Sequence, residues 1–475
     1  MQTEPKTKLA LLILAVAVVM GFLADGLLRE VAWGINLTIW IGLLIGGLAI
    51  AKRVGGGILE AGSALLIAPI LIFGVCFSWR DSSMLRGLDL GAIILAAALV
   101  ITRQTSAFWA PSISRVVGSV FNLVAHCFAG FVHLISRDID WTQQRSSVVA
   151  ANARSAAAGV MIAIPILLVF TLLFVRADAA FENLLTQILH INIARHLVPV
   201  ALGTWLAGSY LRGVLVPSTA QNHAPLKSGL ELGATEINVA LALVNVLFAA
   251  FVAVQLQYLF GSARMVETTP GLTYATYARR GFFELVIVAL LVLPILLGAD
   301  SVHAADRNKR AFRIQSLVLV GLVLCVMASA MHRMRLYQYA YGLTELRFYV
   351  VAFMIYLAVV FALFCLTVLR GWGGLFPMGT VGVGFAAILV LHVANPDQWI
   401  AKTNIRNAVA GRAADLPYLT TLSGDAVPTL LRNPQVIPTQ DVISRYELRS
   451  RDHDDWRAWN YGRHSAERAI LESRR

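Results

Sequence analysis

Long apolar runs joined by short polar connections make up most of this chain. Eleven runs are long enough to cross the ~30 Å hydrocarbon core of a bilayer as α-helices. They are Leu9–Ala24, Val31–Ala51, Ile58–Phe77, Leu88–Ile101, Ala157–Val175, Leu197–Val216, Ile237–Phe260, Gly281–Gly298, Ile314–Met331, Phe348–Leu369 and Phe376–Val393. The pattern predicts an all-α fold: a polytopic membrane helix bundle over residues 1–393, followed by a small helical C-terminal extramembrane tail over residues 394–475.

The longest internal connection, residues 103–154, has a semi-apolar centre that is interrupted by His126 and His133. Two histidines seven residues apart share one helical face and could form half of a metal site. No carboxylate or third imidazole lies at a useful spacing, however. The segment therefore favours an amphipathic helix that lies on the cytoplasmic membrane surface.

Composition supports the membrane assignment, because 58% of the residues are hydrophobic and only 14% are charged. The net charge of +12 is spread over the short loops, since residues 394–475 carry 12 Lys and Arg against 10 Asp and Glu. This distribution favours membrane lipids as partners and argues against nucleic acid. The four cysteines lie in apolar runs without CxxC spacing, so we expect no disulfide, metal site or cofactor.

The basic residues also predict an orientation. With the N-terminus in the cytoplasm, the inner loops hold 16 Lys and Arg residues and the outer loops hold 10, not counting Arg347 at the start of the tenth run. Cytoplasmic loops are enriched in positive charge. We therefore expect a cytoplasmic N-terminus, and eleven spans would place the tail on the opposite side.

A polar, tyrosine-rich stretch, Met331–Tyr349, separates two of the most apolar runs. If it is helical, Arg333, Tyr337 and Tyr341 lie on one face; if it is extended, Tyr337, Tyr339 and Tyr341 do. Either arrangement brings hydroxyl and guanidinium groups together, which suits a phosphate or carboxylate group. An aromatic belt at the membrane interface with snorkelling arginines explains the same residues.

The second half of this stretch contains signals for a helix end and a helix start. Gly342 should end the first helix, and Thr344 should cap a helix that begins with Glu345 and includes Arg347. Glu345 and Arg347 are therefore part of the same candidate polar site.

A second candidate constellation leads into the eighth apolar run. Arg280 and Glu284 are four residues apart, so they share a helical face about one turn inside the run, with Tyr277 one turn earlier. Ionisable residues at this depth are often functional. A structural ion pair near the interface is the alternative interpretation.

The tail contains several helix signals. Asn395-Pro396 and Asp415 are typical of helix starts, and Gly411 is typical of a helix end. The cluster Asp452-His453-Asp454-Asp455 resembles a metal site, but an acidic helix start explains it better.

Near the end of the tail, residues at alternating steps of three and four predict a docking stripe on one helical face. The stripe contains Trp456, Trp459, Arg463, Ala466 and Ile470.

The tail has few large apolar residues with which to form its own core. We therefore expect it to dock on the membrane domain, with its tryptophans buried and Arg463 bound to Glu345.

Several short motifs in order resemble a known family. They are Tyr277-Ala-Arg-Arg-Gly-Phe-Phe-Glu-Leu285, Tyr341-Gly-Leu-Thr-x-Leu-Arg347, Asn395-Pro396, Asp415-x-x-Tyr418-Leu419 with Asp425-Ala426, and Trp456-Arg-x-Trp459-Asn460. Over residues 270–465 the chain resembles bacterial membrane proteins catalogued as domain of unknown function four-one-seven-three and the related four-one-five-three group. The resemblance implies a bacterial inner-membrane protein and no particular activity.

Two functions fit these residues. One is a non-enzymatic transport component, membrane sensor or scaffold with a polar site at one membrane face. The other is an enzyme acting on a lipid-linked or headgroup substrate, with Glu284 as general base and Arg280, Arg333 or Arg347 binding a phosphate. No P-loop, GxSxG, HExxH or Rossmann glycine pattern occurs in the chain, so whether it catalyses a reaction stays open.

Overall fold

A computed structural model describes residues 3–55, 61–103, 113–139, 192–216, 234–268, 282–302, 309–412, 414–450 and 455–475. These residues are mostly helical and contain no strand, so the all-α prediction is confirmed. The longer helices are α1 (Thr3–Leu28), α2 (Ile35–Val54), α3 (Ala61–Cys76), α4 (Ser83–Arg103), α5 (Ile113–His133), α6 (Asn192–Leu215), α7 (Ala234–Thr268), α8 (Phe282–Val302), α9 (Arg310–Tyr341), α10 (Glu345–Thr367) and α11 (Phe376–Ala394). The tail adds α12 (Pro396–Val409), α13 (Leu416–Leu419), α14 (Val427–Leu431), α15 (Thr439–Ser450) and α16 (Tyr461–Ser473).

Within the described residues, seven helices are long and apolar enough to cross a membrane: α1, α2, α4, α7, α9, α10 and α11. Shorter apolar helices occupy Ala64–Cys76 and Leu285–Asp300. The expected sixth span is present as α6, which is not among the seven, and the expected fifth span, Ala157–Val175, lies outside the described residues. A multi-pass membrane protein is thus confirmed, and the count of eleven spans stays a prediction.

The predicted interfacial segment, residues 103–154, is described only in part. Residues 113–133 form α5, and a π-helix follows at Leu134–Asp138. Helix α5 lies in close contact with α6. Trp205 Nε1 donates to the Cys127 carbonyl at 2.5 Å, and the Phe131 N–H donates to Ser209 Oγ at 3.1 Å. The structure does not relate α5 to a membrane surface, so its interfacial location also stays a prediction.

Contacts between Cα atoms divide the chain into two compact units. Unit 1 contains residues 1–108, 113–221 and 448–464, and unit 2 contains residues 109–112, 222–447 and 465–475. The tail therefore contributes residues to both units. The predicted boundary between residues 393 and 394 remains a prediction.

In unit 1, small residues bring α1 and α6 into close antiparallel contact. A Cβ atom added to Gly21 would lie 2.0 Å from Thr204 Oγ1 and 2.4 Å from the Val200 carbonyl oxygen. One added to Gly203 would lie 2.6 Å from the Ala24 Cβ. Glycines that allow such an approach are typical of packed membrane helices, in which van der Waals contact replaces the hydrophobic effect.

In unit 2, the first part of the tail forms a compact module, here called the C-terminal module (residues 395–447). Its short helices bury an apolar cluster that also includes Leu343, from the turn between α9 and α10, and Ala466 and Ile470 of α16. Most of its other members are branched aliphatic residues of α12 to α15 and of the turns between them: Ile400, Ile405, Leu419, Leu422, Val427, Leu430, Ile437, Val442 and Ile443. The tail, expected to have few large apolar residues for a core of its own, thus supplies most of this cluster, and the α9–α10 turn supplies Leu343.

Local capping signals set the ends of several of these helices. The Asn395 side chain accepts from the Gln398 N–H at the start of α12, and the Asp415 side chain accepts from the Tyr418 N–H at the start of α13. Helix α12 ends at Val409, two residues before Gly411, which has a φ of +69°. These three predictions are confirmed.

Candidate functional site

The polar stretch between the two apolar runs is mainly the end of a long helix. Helix α9 has 32 residues. It is thus about 48 Å long at 1.5 Å per residue and exceeds the ~30 Å hydrocarbon core. Gly342, with a φ of +74°, ends α9, and Thr344 is the N-cap residue of α10 but makes no side-chain capping bond. Residues 342–344 therefore form the tight turn between two candidate spans.

The arginine just after this turn fastens the end of α9. Arg347 donates to the Tyr341 and Gly342 carbonyls at 3.1 and 2.5 Å, and its guanidinium carbon lies 4.0 Å from the centre of the Tyr337 ring. The rings of Tyr337 and Tyr341 are 5.3 Å apart, as expected for a helical stripe. Cations at helix C-termini and over aromatic faces are both stabilising. The structure thus brings Tyr337, Tyr341 and Arg347 together.

Other predicted residues lie on the same helix ends. Arg333 is half-buried on α9 and has an interaction partner, and Glu345 is the first residue of α10. The neighbouring Tyr339 ring lies 5.0 Å from the guanidinium carbon of Arg412, which follows α12.

Side chains of the C-terminal module bind the backbone of this turn. Asn404 of α12 accepts from the Leu343 N–H at 2.8 Å and donates to the Leu343 carbonyl at 2.7 Å. The Glu345 N–H donates to the Tyr418 hydroxyl oxygen at 2.8 Å. Because Asn404 is buried, loss of either partner would leave unsatisfied polar groups. The turn and the module are therefore held in a defined arrangement.

An acidic pair, the buried Asp397 and the half-buried Glu345, lies at this junction. Asp397 of α12 is completely buried, and its Oδ2 accepts from the Ser423 N–H at 3.2 Å and from the Ser423 hydroxyl. The Glu345 carboxyl group lies within hydrogen-bonding range of the Asp397 carboxyl group. Burial, and then the negative charge of Glu345, raises the pKa of Asp397 to about 7, against the lowering effect of Ser423.

Tyr418 remains a neutral hydroxyl beside this pair. Burial raises the pKa of Tyr418 to about 12, and the charges of Glu345 and Asp397 add to the increase. The hydroxyl oxygen can thus accept the Glu345 N–H bond over the whole physiological range of pH.

Four residues of this junction were not predicted from the sequence: Asp397, Asn404, Tyr418 and Ser423. Tyr418 occurs in a quoted family motif, and Asp397 follows the Asn395-Pro396 helix start, but neither position indicates its partner. Their contacts join residues 26 to 73 positions apart, which no local pattern reveals.

In unit 1, Arg463 is deeply buried. Its guanidinium donates to Asp81 Oδ1 at 2.8 Å, to the Ala458 carbonyl at 2.9 Å and to the Trp33 carbonyl at 3.3 Å. The expected partner, Glu345, is not among these acceptors. Glu345 belongs to unit 2, and the pairing stays a prediction.

The predicted tryptophan stripe also differs from the structure. Asn460 Oδ1 accepts from the Gly462 and Arg463 N–H groups, and the next helix, α16, begins at Tyr461. Trp456 and Trp459 precede that helix and remain 65% and 43% exposed. Because of this exposure, their predicted burial is wrong. They also do not share a helical face with Arg463, because the helix begins after them.

The constellation before the eighth apolar run lies largely outside the described residues. Tyr277 and Arg280 are not described; Glu284 lies in α8, but its side chain is not described. The predicted Arg280–Glu284 pair therefore stays a prediction.

The histidine and aspartate candidates for metal binding have structural contacts. His126 Nδ1 lies 2.8 Å from the Asn122 carbonyl oxygen, and Asp455 caps a short 3₁₀-helix by accepting from the Arg457 N–H. Asp452 to Asp454 lie outside the described residues. In the part of the chain that is described, no three His, Cys, Asp or Glu side chains are arranged to hold a metal ion.

The fold and the site define an all-α, multi-pass membrane protein with a polar junction at the ends of two candidate spans. Residues 67–433 match the family model described as Domain of unknown function (DUF4153), and the chain belongs to this family. The finer four-one-seven-three assignment stays a prediction. No curated protein and no solved structure matched the chain.

Proposed function

We propose that this chain is a non-enzymatic membrane sensor or scaffold of the bacterial inner membrane, acting through the junction between the α9–α10 turn and the C-terminal module. The observation that carries the proposal is the reciprocal pair of hydrogen bonds between Asn404 and Leu343. Because the module binds the backbone of the turn, a shift at the ends of α9 and α10 is transmitted to the module. Conversely, a partner bound to the module acts on the two spans.

The contacts of Arg347 favour this function over an enzyme that acts on a lipid headgroup. An arginine that binds a phosphate needs free donors directed at the ligand. Arg347 instead directs its Nη1 group at the Tyr341 and Gly342 carbonyls, and its guanidinium stacks on Tyr337. The alternative, an enzyme for a lipid-linked or phosphate-headgroup substrate, then depends on Glu284 as general base and on Arg280 or Arg333 as the phosphate-binding residue.

The location of the junction favours a sensor or scaffold over a transport component. Transporter sites commonly lie near the bilayer midplane on interrupted helices. The junction instead lies at the ends of α9 and α10, and α3, α6 and α8 continue through Pro69, Pro199 and Pro294. A lipid headgroup or a small anionic ligand remains the proposed class of small partner, and membrane lipids surround the spans.

The proposed orientation places the N-terminus in the cytoplasm. The basic loop before α9 would then be cytoplasmic, and the end of α9, its turn and the C-terminal module would face the periplasm. The junction would thus respond to conditions outside the cytoplasm.

The proposal can be tested by measuring the distance between the turn and the module. In the full chain in phosphatidylcholine nanodiscs, with the four native cysteines replaced, spin labels are attached at the exposed positions Leu346 and Gln440. We expect one narrow distance distribution. Asn404→Ala should broaden it, since two buried hydrogen bonds worth about 1 kcal/mol each are lost.

A matched control and an activity assay complete the experiment. Asn433→Ala removes an asparagine of the same module whose described side-chain bonds are local, to the Thr429 carbonyl and from the Gln435 side chain, and should leave the distribution narrow. An unchanged distribution in Asn404→Ala would contradict the proposed junction. Turnover of a lipid extract that is lost in Glu284→Gln or Arg280→Lys would establish the enzyme instead.

A further inference from the structure

Only one of the two oxygens of the Asp397 carboxyl group accepts hydrogen bonds from described residues. Ser423 supplies two donors to Oδ2, whereas Oδ1 is buried and has no donor among the residues that the structure describes. A buried carboxylate oxygen without a donor is costly. The neighbouring Glu345 carboxyl group can remove that cost only if the pair carries a proton, because two carboxylates have no donor to share.

No other ionisable side chain among the described residues forms an ion pair with either carboxyl group of the pair. From α10, Arg347 is directed at the turn carbonyls, and from α13 Tyr418 accepts the Glu345 N–H. Asp425, beside Ser423, adds an acidic group, and α11 contributes the buried His392 near its end. The charged group that acts on Asp397 is Glu345.

We propose that Glu345 and Asp397 bind one proton between them, that this proton fastens the start of α10 to α12, and that its loss loosens the C-terminal module. This inference rests on the proposed function and names its signal: the sensor responds to proton concentration at the membrane face where the junction lies.

The physical basis is the repulsion between two like charges in a buried site. With one proton, a carboxylic acid donates to a carboxylate, which is a strong charge-assisted hydrogen bond. Without it, two carboxylates at hydrogen-bonding distance repel each other, and paired carboxyl groups therefore titrate well apart. The pKa of Asp397, raised to about 7 by burial and Glu345, places the transition near neutral pH.

The test is hydrogen exchange of the full chain in phosphatidylcholine nanodiscs at pH 6 and pH 8, corrected for the intrinsic pH dependence of exchange. In the natural protein, peptides over residues 343–349 and 397–405 should be protected at least about tenfold more strongly at pH 6, the factor that corresponds to one pKa unit. In Asp397→Asn, which carries no titrating group at this position, the pH response should disappear. Equal protection at both pH values in the natural protein would overturn the inference.

Two further variants make the test specific. Asp415→Asn is the matched control, since asparagine caps a helix as well as aspartate does, and it should keep the pH response of the natural protein. If Asp397→Asn does not fold, Glu345→Gln replaces it and should show the same loss. A pH response that persists in a folded Asp397→Asn or Glu345→Gln variant also overturns the inference.

Asn404→Ala separates this inference from the proposed function. If it increases exchange at the turn while the natural protein shows no pH response, the junction stands and the proton site fails. If it leaves the turn protected while the pH response is present, the proton site stands and the proposed junction fails.

Discussion

The end of the chain and the C-terminal module are attached to their helices by different chemistry. In unit 1, residues 457–463 bind through backbone groups and through the side chains of Asn460 and Arg463: the Ile35 N–H donates to the Trp459 carbonyl, and the Tyr461 N–H donates to the Ser78 carbonyl. In unit 2, the module binds through Asn404, Tyr418 and an acidic pair. The first attachment contains no group expected to titrate near neutral pH, whereas the second does.

The difference indicates a fixed region and an adjustable one. Around the first attachment, Arg463 is paired with Asp81, and Asn460 donates to the Phe77 and Arg80 carbonyls. Guanidinium groups stay charged at every physiological pH. Among the described residues, no cation forms an ion pair with the acidic pair in unit 2, which depends on a proton. We therefore expect changes of pH to affect the module and to leave residues 457–463 in place.

The largest expected effect concerns membrane topology. Arg457 donates to the Gly26 carbonyl at 2.6 Å, and the Ile35 N–H donates to the Trp459 carbonyl at 2.9 Å. If α1 crosses the membrane once, these tail residues lie on the face opposite to the start of α1. The number of crossings before the tail is then odd.

Reporter fusions before the N-terminus and after Arg475 would check this topology. We expect the N-terminal fusion to report the cytoplasm and the C-terminal fusion to report the periplasm, an all-or-none difference. Both fusions on one side would contradict the attachment in unit 1. Opposite sides with the order reversed would contradict the orientation predicted from basic residues and leave the attachment intact.

The second prediction removes the buried guanidinium of unit 1. Arg463→Ala leaves the Ala458 and Trp33 carbonyls without this donor and deprives Asp81 of one of its two arginines. Breaking a buried ion pair costs about 3–5 kcal/mol. Because Arg86 still binds Asp81, we expect the lower end, about 3 kcal/mol, measured by thermal unfolding in detergent.

Arg474→Ala is the matched control for this variant. Arg474 is paired with Glu447, but both side chains are about half exposed, and such surface pairs contribute about 0–1 kcal/mol. Equal stability losses in the two variants would show that burial of Arg463 is not what fixes residues 457–463.

Local signals in the sequence were sufficient for most of the fold. Apolar runs predicted the helices, and Gly342, Asn395 and Asp415 marked helix ends that the structure contains. These features depend on backbone conformation within a few residues. The helical arrangement of Tyr337 and Tyr341 is local in the same sense, because residues four apart lie on adjacent turns of one helix.

The functional junction could not be predicted in the same way. Asp397 and Glu345 are far apart in sequence, and each alone is typical of the acidic first turn of a helix. The Trp459–Arg463 stripe failed for a local reason, because Asn460 binds the Gly462 and Arg463 N–H groups and the helix begins only after the tryptophans. Pairing between distant segments depends on tertiary packing, which spacing along the chain does not reveal.

The third prediction concerns the pH dependence of the free energy of unfolding, which Asp397 of the adjustable region should control. The pKa of Asp397 is about 7 in the folded protein and 3.8 for an unperturbed carboxyl group. Between these values the native state binds a proton that the unfolded state has lost, so the free energy of unfolding falls as pH rises. The slope approaches about 1.4 kcal/mol per pH unit and levels off above pH 7. Asp397→Asn should abolish it.

Ser423→Ala should move the upper end of the pH range over which stability falls to higher pH. The hydroxyl of Ser423 donates to Asp397 Oδ2 and favours the charged form, which lowers the pKa of Asp397. Without it, the Ser423 N–H bond remains, so we expect a further rise in this pKa of up to about one unit. Ser444→Ala, which removes an exposed hydroxyl in α15, should leave the profile unchanged. Thermal unfolding between pH 4 and pH 9 measures both variants, and a shift of the window toward lower pH in Ser423→Ala would contradict the role of Asp397 as the titrating group.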